Sequence, residues 1–169
     1  MSMPVETIIT AIGEGDDETL ADNAFYWREA YGVKVLVCRE LESAGFVNGF
    51  STRLGGVSPF PSGDLNLAGF NEDTRENIYE NRRRFLRLFP NGMKLAAVWQ
   101  VHGDAIKTVS AEDEISDSDE YADAMVSQMD GVLAGVKTAD CVPVLIGDPS
   151  TRSFAAIHAG WRGTVREIT

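Results

Sequence analysis

Hydrophobic and polar positions alternate between short apolar runs and one clear helical stripe. Val33-Lys34-Val35-Leu36-Val37 is rich in β-branched residues and predicts a strand over 33–37. A second strand is predicted over 46–52. Between Asp73 and Phe89, Ile78, Phe85, Leu86 and Phe89 recur at helical spacing, with acidic residues early and arginines late. That pattern predicts an amphipathic helix over 73–89, complementary to its own dipole, and Pro90-Asn91-Gly92 ends it. Strands follow over 94–100 and 105–109, and buried strands over 131–136, 142–146 and 154–157.

The polar stretches between them are of three kinds. Residues 1–23 are acidic and weakly patterned and are expected to be a partly mobile lead-in to one domain over 24–169. Gly55 to Gly63 is crowded with glycine, proline and serine and predicts a long ordered loop. Residues 111–123 hold Glu112, Asp113, Glu114, Asp117, Asp119, Glu120 and Asp123 and are expected to form a solvated acidic loop. The calcium alternative lacks the glycine and terminal glutamate of an EF-hand. Trp161 to Thr169 opens from a turn into a helix too short to stand by itself, so it either docks on the body or continues in a longer chain. The latter is our expectation.

Composition narrows the function. The chain has 169 residues, 44% of them apolar and 24% charged, as in an ordinary globular domain. A net charge of −11 argues against nucleic acid or an anionic membrane as partner, since both need basic patches. Two cysteines, Cys38 and Cys141, are too few for a disulfide framework. With no signal segment and no apolar run of membrane-spanning length, a cytoplasmic protein is expected.

Chemistry concentrates around two histidines, His102 in Trp99-Gln100-Val101-His102-Gly103-Asp104 and His158 in His158-Ala159-Gly160-Trp161-Arg162-Gly163. Between them lies Thr138-Ala139-Asp140-Cys141. Two imidazoles and a thiolate suffice as the protein ligands of a catalytic zinc. Spacing leaves a second reading of Cys141, a small hydrophobe heading its strand. The glycines beside both histidines favour the metal site, because they let the backbone turn or something approach. Asp140 is either a proton acceptor and orienting group or a strand-end residue holding backbone donors. Arg162 and Arg53, each near glycine, suit phosphate or carboxylate, with a surface salt bridge as the alternative. Arg82, Arg83 and Arg84 are expected to be solvated and Cys38 to be core. No nucleophile elbow, Walker loop or dinucleotide fingerprint occurs.

These motifs stand in a telling order: Ser51-Thr52-Arg53-Leu54-Gly55-Gly56-Val57-Ser58, Leu65-Asn66-Leu67, Asn81-Arg82-Arg83, Gln100-Val101-His102-Gly103, Thr138-Ala139-Asp140-Cys141-Val142-Pro143-Val144-Leu145 and His158-Ala159-Gly160-Trp161-Arg162-Gly163. From about Gly45 onward the chain resembles the YfiH/laccase-domain family, whose members have been called polyphenol oxidases and purine nucleoside phosphorylases. The resemblance implies an α+β fold of mixed β-sheets packed with helices. It implies zinc on His102, Cys141 and His158, and a purine nucleoside and phosphate as substrates. The reactions implied are phosphorolysis of adenosine, inosine and methylthioadenosine, and adenosine deamination. Asn66 and Arg162 match positions expected to face substrate, and Arg53 is a further candidate. In deamination water attacks C6 of adenine with Asp140 moving the proton; in phosphorolysis Arg162 holds the attacking phosphate. Relatives continue well past the Trp-Arg-Gly motif, so the C-terminal part of the fold is expected to be missing here. After Leu67 the chain reads Ala68-Gly69-Phe70-Asn71, where relatives often carry Gly and a nearby His. Two alternatives accompany this reading: a copper-dependent polyphenol oxidase, and a truncated non-catalytic metal-binding domain. Two histidines are too few for a multicopper cluster.

Overall fold

The β-branched run starting at Val33 sets the first layer. In the computed structural model, which describes residues 14–59, 62–68, 73–111 and 117–169, the first helix is α1 (Glu14–Asp22), which falls within the expected mobile lead-in. Strands β1 (Phe25–Ala30) and β2 (Val33–Cys38) form an antiparallel pair, and β3 (Phe50–Ser51) adds to β2 beyond the short helix α2 (Arg39–Ser43). On β2 the odd positions Val33, Val35 and Val37 are wholly buried, as the period of a strand dictates. The strand predicted over 46–52 shrinks to two residues. Ahead of it, Asn48 replaces the ladder by accepting from the Cys38 N–H at 2.8 Å and donating to the Cys38 carbonyl at 3.1 Å.

The predicted helix is α3 (Arg75–Leu86). Thr74 caps it by accepting from the Asn77 N–H at 3.3 Å. Its buried side chains Ile78, Asn81 and Phe85 lie on one face. Phe85, with Leu88 and Phe89 just beyond the helix, packs on the β2 valines, Leu65 and Leu133. Burying each such large apolar side chain is worth about 1.5–3 kcal/mol.

The remaining strands build two further sheets. β4 (Lys94–Trp99) lies between β6 (Asp117–Tyr121) and β8 (Val132–Ala134), parallel to both. A four-stranded sheet runs β5-β7-β10-β9, from β5 (Ile106–Val109), β7 (Ala124–Ser127), β10 (Ser153–Ala159) and β9 (Val142–Asp148). Ala96, Val98, Val109, Met125 and Val132 form the core between them. The architecture is α+β, as expected.

Two polar segments depart from expectation. The acidic stretch is no simple solvated loop, since Asp117–Tyr121 is an edge strand and Asp123 is completely buried; residues 112–116 lie outside the described residues. Arg82 and Arg84 are not merely solvated. Arg82 donates to the Leu67 and Ala68 carbonyls, and Arg84 to those of Gly55 and Gly56. Only Arg83 behaves as a surface residue, paired with Glu80.

The tail closes on the body through α4 (Trp161–Val165), with Ile168 packed on Ala124 and Ile157. Among the described residues, no helix is long and apolar enough to cross a membrane.

Candidate metal centre

Three separate segments deliver the three ligand candidates. His102 follows β4 in a tight turn, Cys141 immediately precedes β9, and His158 lies on β10. The β9–β10 register pairs Val142 with Ala159 and Pro143 with His158, which carries Cys141 to the level of Gly160. Their ligand atoms fall within 4.8 Å of one another. The two imidazole rings meet edge to face, with centroids 4.8 Å apart.

The surroundings fit a metal. Zinc–nitrogen and zinc–sulfur bonds of about 2.0–2.3 Å hold such donors slightly closer together, a shift within reach of side-chain torsions. His158 is buried, Cys141 half-buried and His102 exposed, so one side of the cluster opens to solvent. Gly160 leaves the space the donors need: a Cβ there would sit 3.2 Å from His102 Cδ2 and 3.3 Å from Cys141 Sγ. An N, S, N donor set suits zinc or a single copper ion.

Behind the triad stands the last acid of the 111–123 stretch, expected to lie in a solvated loop. Asp123 accepts from His158 Nδ1 at 2.7 Å. It also accepts from the backbone N–H groups of Val101, His102 and Gly103 at 3.2, 2.9 and 2.7 Å. Burial by itself would raise this carboxyl. The bonds from His158 and from the Gly103, Val101 and His102 amides outweigh burial and hold it below the ordinary aspartate value. The three amides belong to the turn where His102 takes φ +59, a left-handed conformation that costs an L-residue about 1–2 kcal/mol. Asp123 is distinguishable in sequence by its neighbours: it alone of the seven acids sits against Ala122 and Ala124-Met125, all nearly fully buried.

The other candidates spread over a wider area. Arg53, Asn66 and Asp140 all line one open cleft of about 1060 Å³, walled by apolar side chains such as Leu65, Phe89 and Leu145. The triad is not part of that wall; the cleft reaches its edge through Asp140, which is exposed and precedes Cys141. Arg53 forms a two-pronged ion pair with Asp64, at 2.9 and 3.2 Å. Asn66 accepts from the Ala68 N–H at 2.9 Å. Arg162 lies outside the cleft on α4, exposed, its guanidinium 4.9 Å from the Trp161 ring centroid. Cys38 is half-buried rather than core.

A family model described as multi-copper polyphenol oxidoreductase laccase matches residues 47–169. The chain is 41% identical over 116 residues to purine nucleoside phosphorylase YfiH of Shigella flexneri, covering 67% of this chain and 45% of that protein. To its namesake in Escherichia coli it is 38% identical over 133 residues, covering 77% and 52%. The structure of YlmD from Geobacillus stearothermophilus superposes with a TM-score of 0.70 at 33% identity, covering 86% of this chain and 55% of that one. YfiH of Bacillus licheniformis gives 0.71 at 26% identity, covering 84% and 55%. The chain thus spans about half the length of these relatives. Its motifs, its fold and these matches agree that the chain belongs to the YfiH/laccase-domain family.

Proposed function

We propose that this chain carries the zinc centre of a purine nucleoside phosphorylase that also deaminates adenosine. The observation that carries the reading is the convergence of His102, Cys141 and His158, from three segments, on one point open at His102. The names of the relatives supply the substrate class. When bound, zinc supplies Lewis acidity, polarising oxygen and acidifying water near neutral pH.

The chain's own residues divide the remaining work. In phosphorolysis a phosphate oxygen bonds to the ribose anomeric carbon while the bond to the purine nitrogen breaks and the purine takes up a proton. Arg162 is exposed and suited to hold the phosphate. Asn66 and Arg53 line the cleft that would hold the nucleoside, Arg53 already fixed by Asp64. In deamination water adds to C6 and ammonia leaves; Asp140, at the junction of cleft and triad, moves the proton.

The copper-oxidase reading draws on the family model's description. One site with two histidines offers room for one ion, against the several that multicopper chemistry requires. The test is elemental analysis of purified wild-type protein and Cys141→Ala, followed by assay with adenosine and phosphate. The reading expects about one zinc per chain, lost in the variant, with adenine released only when phosphate is present. Several coppers per chain would replace it with the oxidase. One zinc without turnover or nucleoside binding would leave a non-catalytic metal-binding domain.

A further inference from the structure

The three ligand candidates share no helix or strand, so something must hold their segments in register before an ion arrives. We infer that Asp123 and Gln100 are the positioning residues of the metal centre, Asp123 tying His102 to His158 and Gln100 tying His102 to the Cys141 segment. The inference rests on the metal reading above.

Asp123 is saturated. Its Oδ1 accepts from the His102 N–H and from His158 Nδ1, and its Oδ2 from the Val101 and Gly103 N–H groups. An ionised carboxylate only accepts, so His158 carries its proton on Nδ1, and Nε2 is left bare as its ligand atom. The main chain repeats the link: the His158 N–H donates to the Asp123 carbonyl at 2.7 Å. One side chain thereby fixes the tautomer and aim of one histidine and the left-handed turn that presents the other. A carboxylate behind a ligating histidine is a known way to orient it.

Gln100 works on the other side. Its Nε2 donates to the Lys137 carbonyl and its Oε1 accepts from the Lys137 N–H, both at 2.7 Å. The side chain imitates a strand neighbour, linking Gln100, two residues ahead of His102, to Lys137, four ahead of Cys141. Lys137 adds a bond from Nζ to the Val98 carbonyl at 3.2 Å. The Thr138-Ala139-Asp140 loop is thus anchored beside β4, with Cys141 at its far end.

The test measures zinc affinity by chelator competition in wild type, Asp123→Asn and Gln100→Ala, and reads the His158 tautomer by nitrogen-15 NMR of zinc-free protein at neutral pH. Asparagine keeps the size of Asp123 but presents an NH₂ where an acceptor oxygen stood. Both variants should bind zinc about 10- to 100-fold more weakly. Wild type and Gln100→Ala should show His158 protonated on Nδ1, and Asp123→Asn should lose that preference. A purely structural role would not move the tautomer. Wild-type affinity in both variants, or a wild-type His158 protonated on Nε2, overturns the inference while leaving zinc in place. A wild type that binds no zinc sinks the metal reading and the inference together. If Asp123→Asn does not fold, the wild-type tautomer and the Gln100→Ala affinity still decide.

Discussion

Replacing Gly160 by alanine separates the folding of this chain from metal binding at the proposed His102–Cys141–His158 site. Gly160 has φ −73 and ψ 161, a conformation any L-residue adopts, so the backbone raises no objection. Alanine there restricts the unfolded chain and contributes about 0.4–1 kcal/mol of stability. Against this, the new Cβ stands 3.2 Å from His102 Cδ2 and 3.3 Å from Cys141 Sγ, so both side chains must yield by a few tenths of an ångström. Pushing a side chain off its rotamer costs about 0.5–1.5 kcal/mol. With two side chains displaced, the net change is a loss of about 0–2.5 kcal/mol, and the melting temperature of Gly160→Ala should fall by no more than about 10 °C. Zinc affinity should nevertheless fall about tenfold or more, because the yielding groups are the ligands. Gly163→Ala provides the contrast. Its Cβ would lie 2.6 Å from the Gly103 carbonyl oxygen, a backbone atom that cannot swing aside, so α4 must lift from the His102 turn and the whole domain suffers. Chelator competition and a melting curve on both variants decide the matter. A Gly160→Ala protein with unchanged zinc affinity, or one that unfolds as badly as Gly163→Ala, refutes the reasoning.

Two further predictions concern the frame. Asn81, wholly buried on α3, accepts from the Val57 N–H at 2.8 Å and donates to Ser58 Oγ at 2.8 Å and to the Asn66 carbonyl at 3.0 Å. Asn81→Ala strands those partners and should cost about 3 kcal/mol, a melting loss of about 6–12 °C, whereas a loss below about 1 kcal/mol would show that the loop does not depend on it. Asp148 is held at about 2, chiefly by the Ser150 and Thr151 side chains, against an ordinary 3.8. Its folded-state value is depressed, so its contribution to the 148–151 turn is complete above about pH 4 and disappears as pH falls toward 2. The Ser150 amide resonance should titrate in that window, and should not do so in Asp148→Asn.

How much of this was legible depended on whether burial left a period in the sequence. β2 and α3 were readable because each buries one face: Val33, Val35 and Val37 on the strand, Ile78 and Phe85 on the helix. β1 escaped notice because most of its positions are half-buried on both faces, so nothing alternates. β6 escaped because an edge strand made of Asp117-Ser118-Asp119-Glu120-Tyr121 has the composition of a solvated loop and owes its place to pairing with β4. The arginines of α3 depart from expectation for a related reason. Arg82 and Arg84 spend their guanidinium groups on carbonyls of distant loops, a tertiary fact that a helical wheel does not contain.

The site divides the same way. His102, Cys141 and His158 were legible because their chemistry is rare in this chain and each neighbours a turn-forming motif. Asp123 was hidden by composition, as the last of seven acids in thirteen residues, and only its apolar neighbours set it apart. Yet it is the residue on which the arrangement depends. A histidine in a left-handed turn is costly, and a buried carboxylate is costlier still without partners. Placed together, each removes the other's penalty: the turn aims three N–H groups inward, and the carboxylate needs that many donors beside His158. The ligands are what a sequence motif records, because they are chemically unusual. The carboxylate that positions them is chemically ordinary, and what marks it is the apolar company that its burial requires.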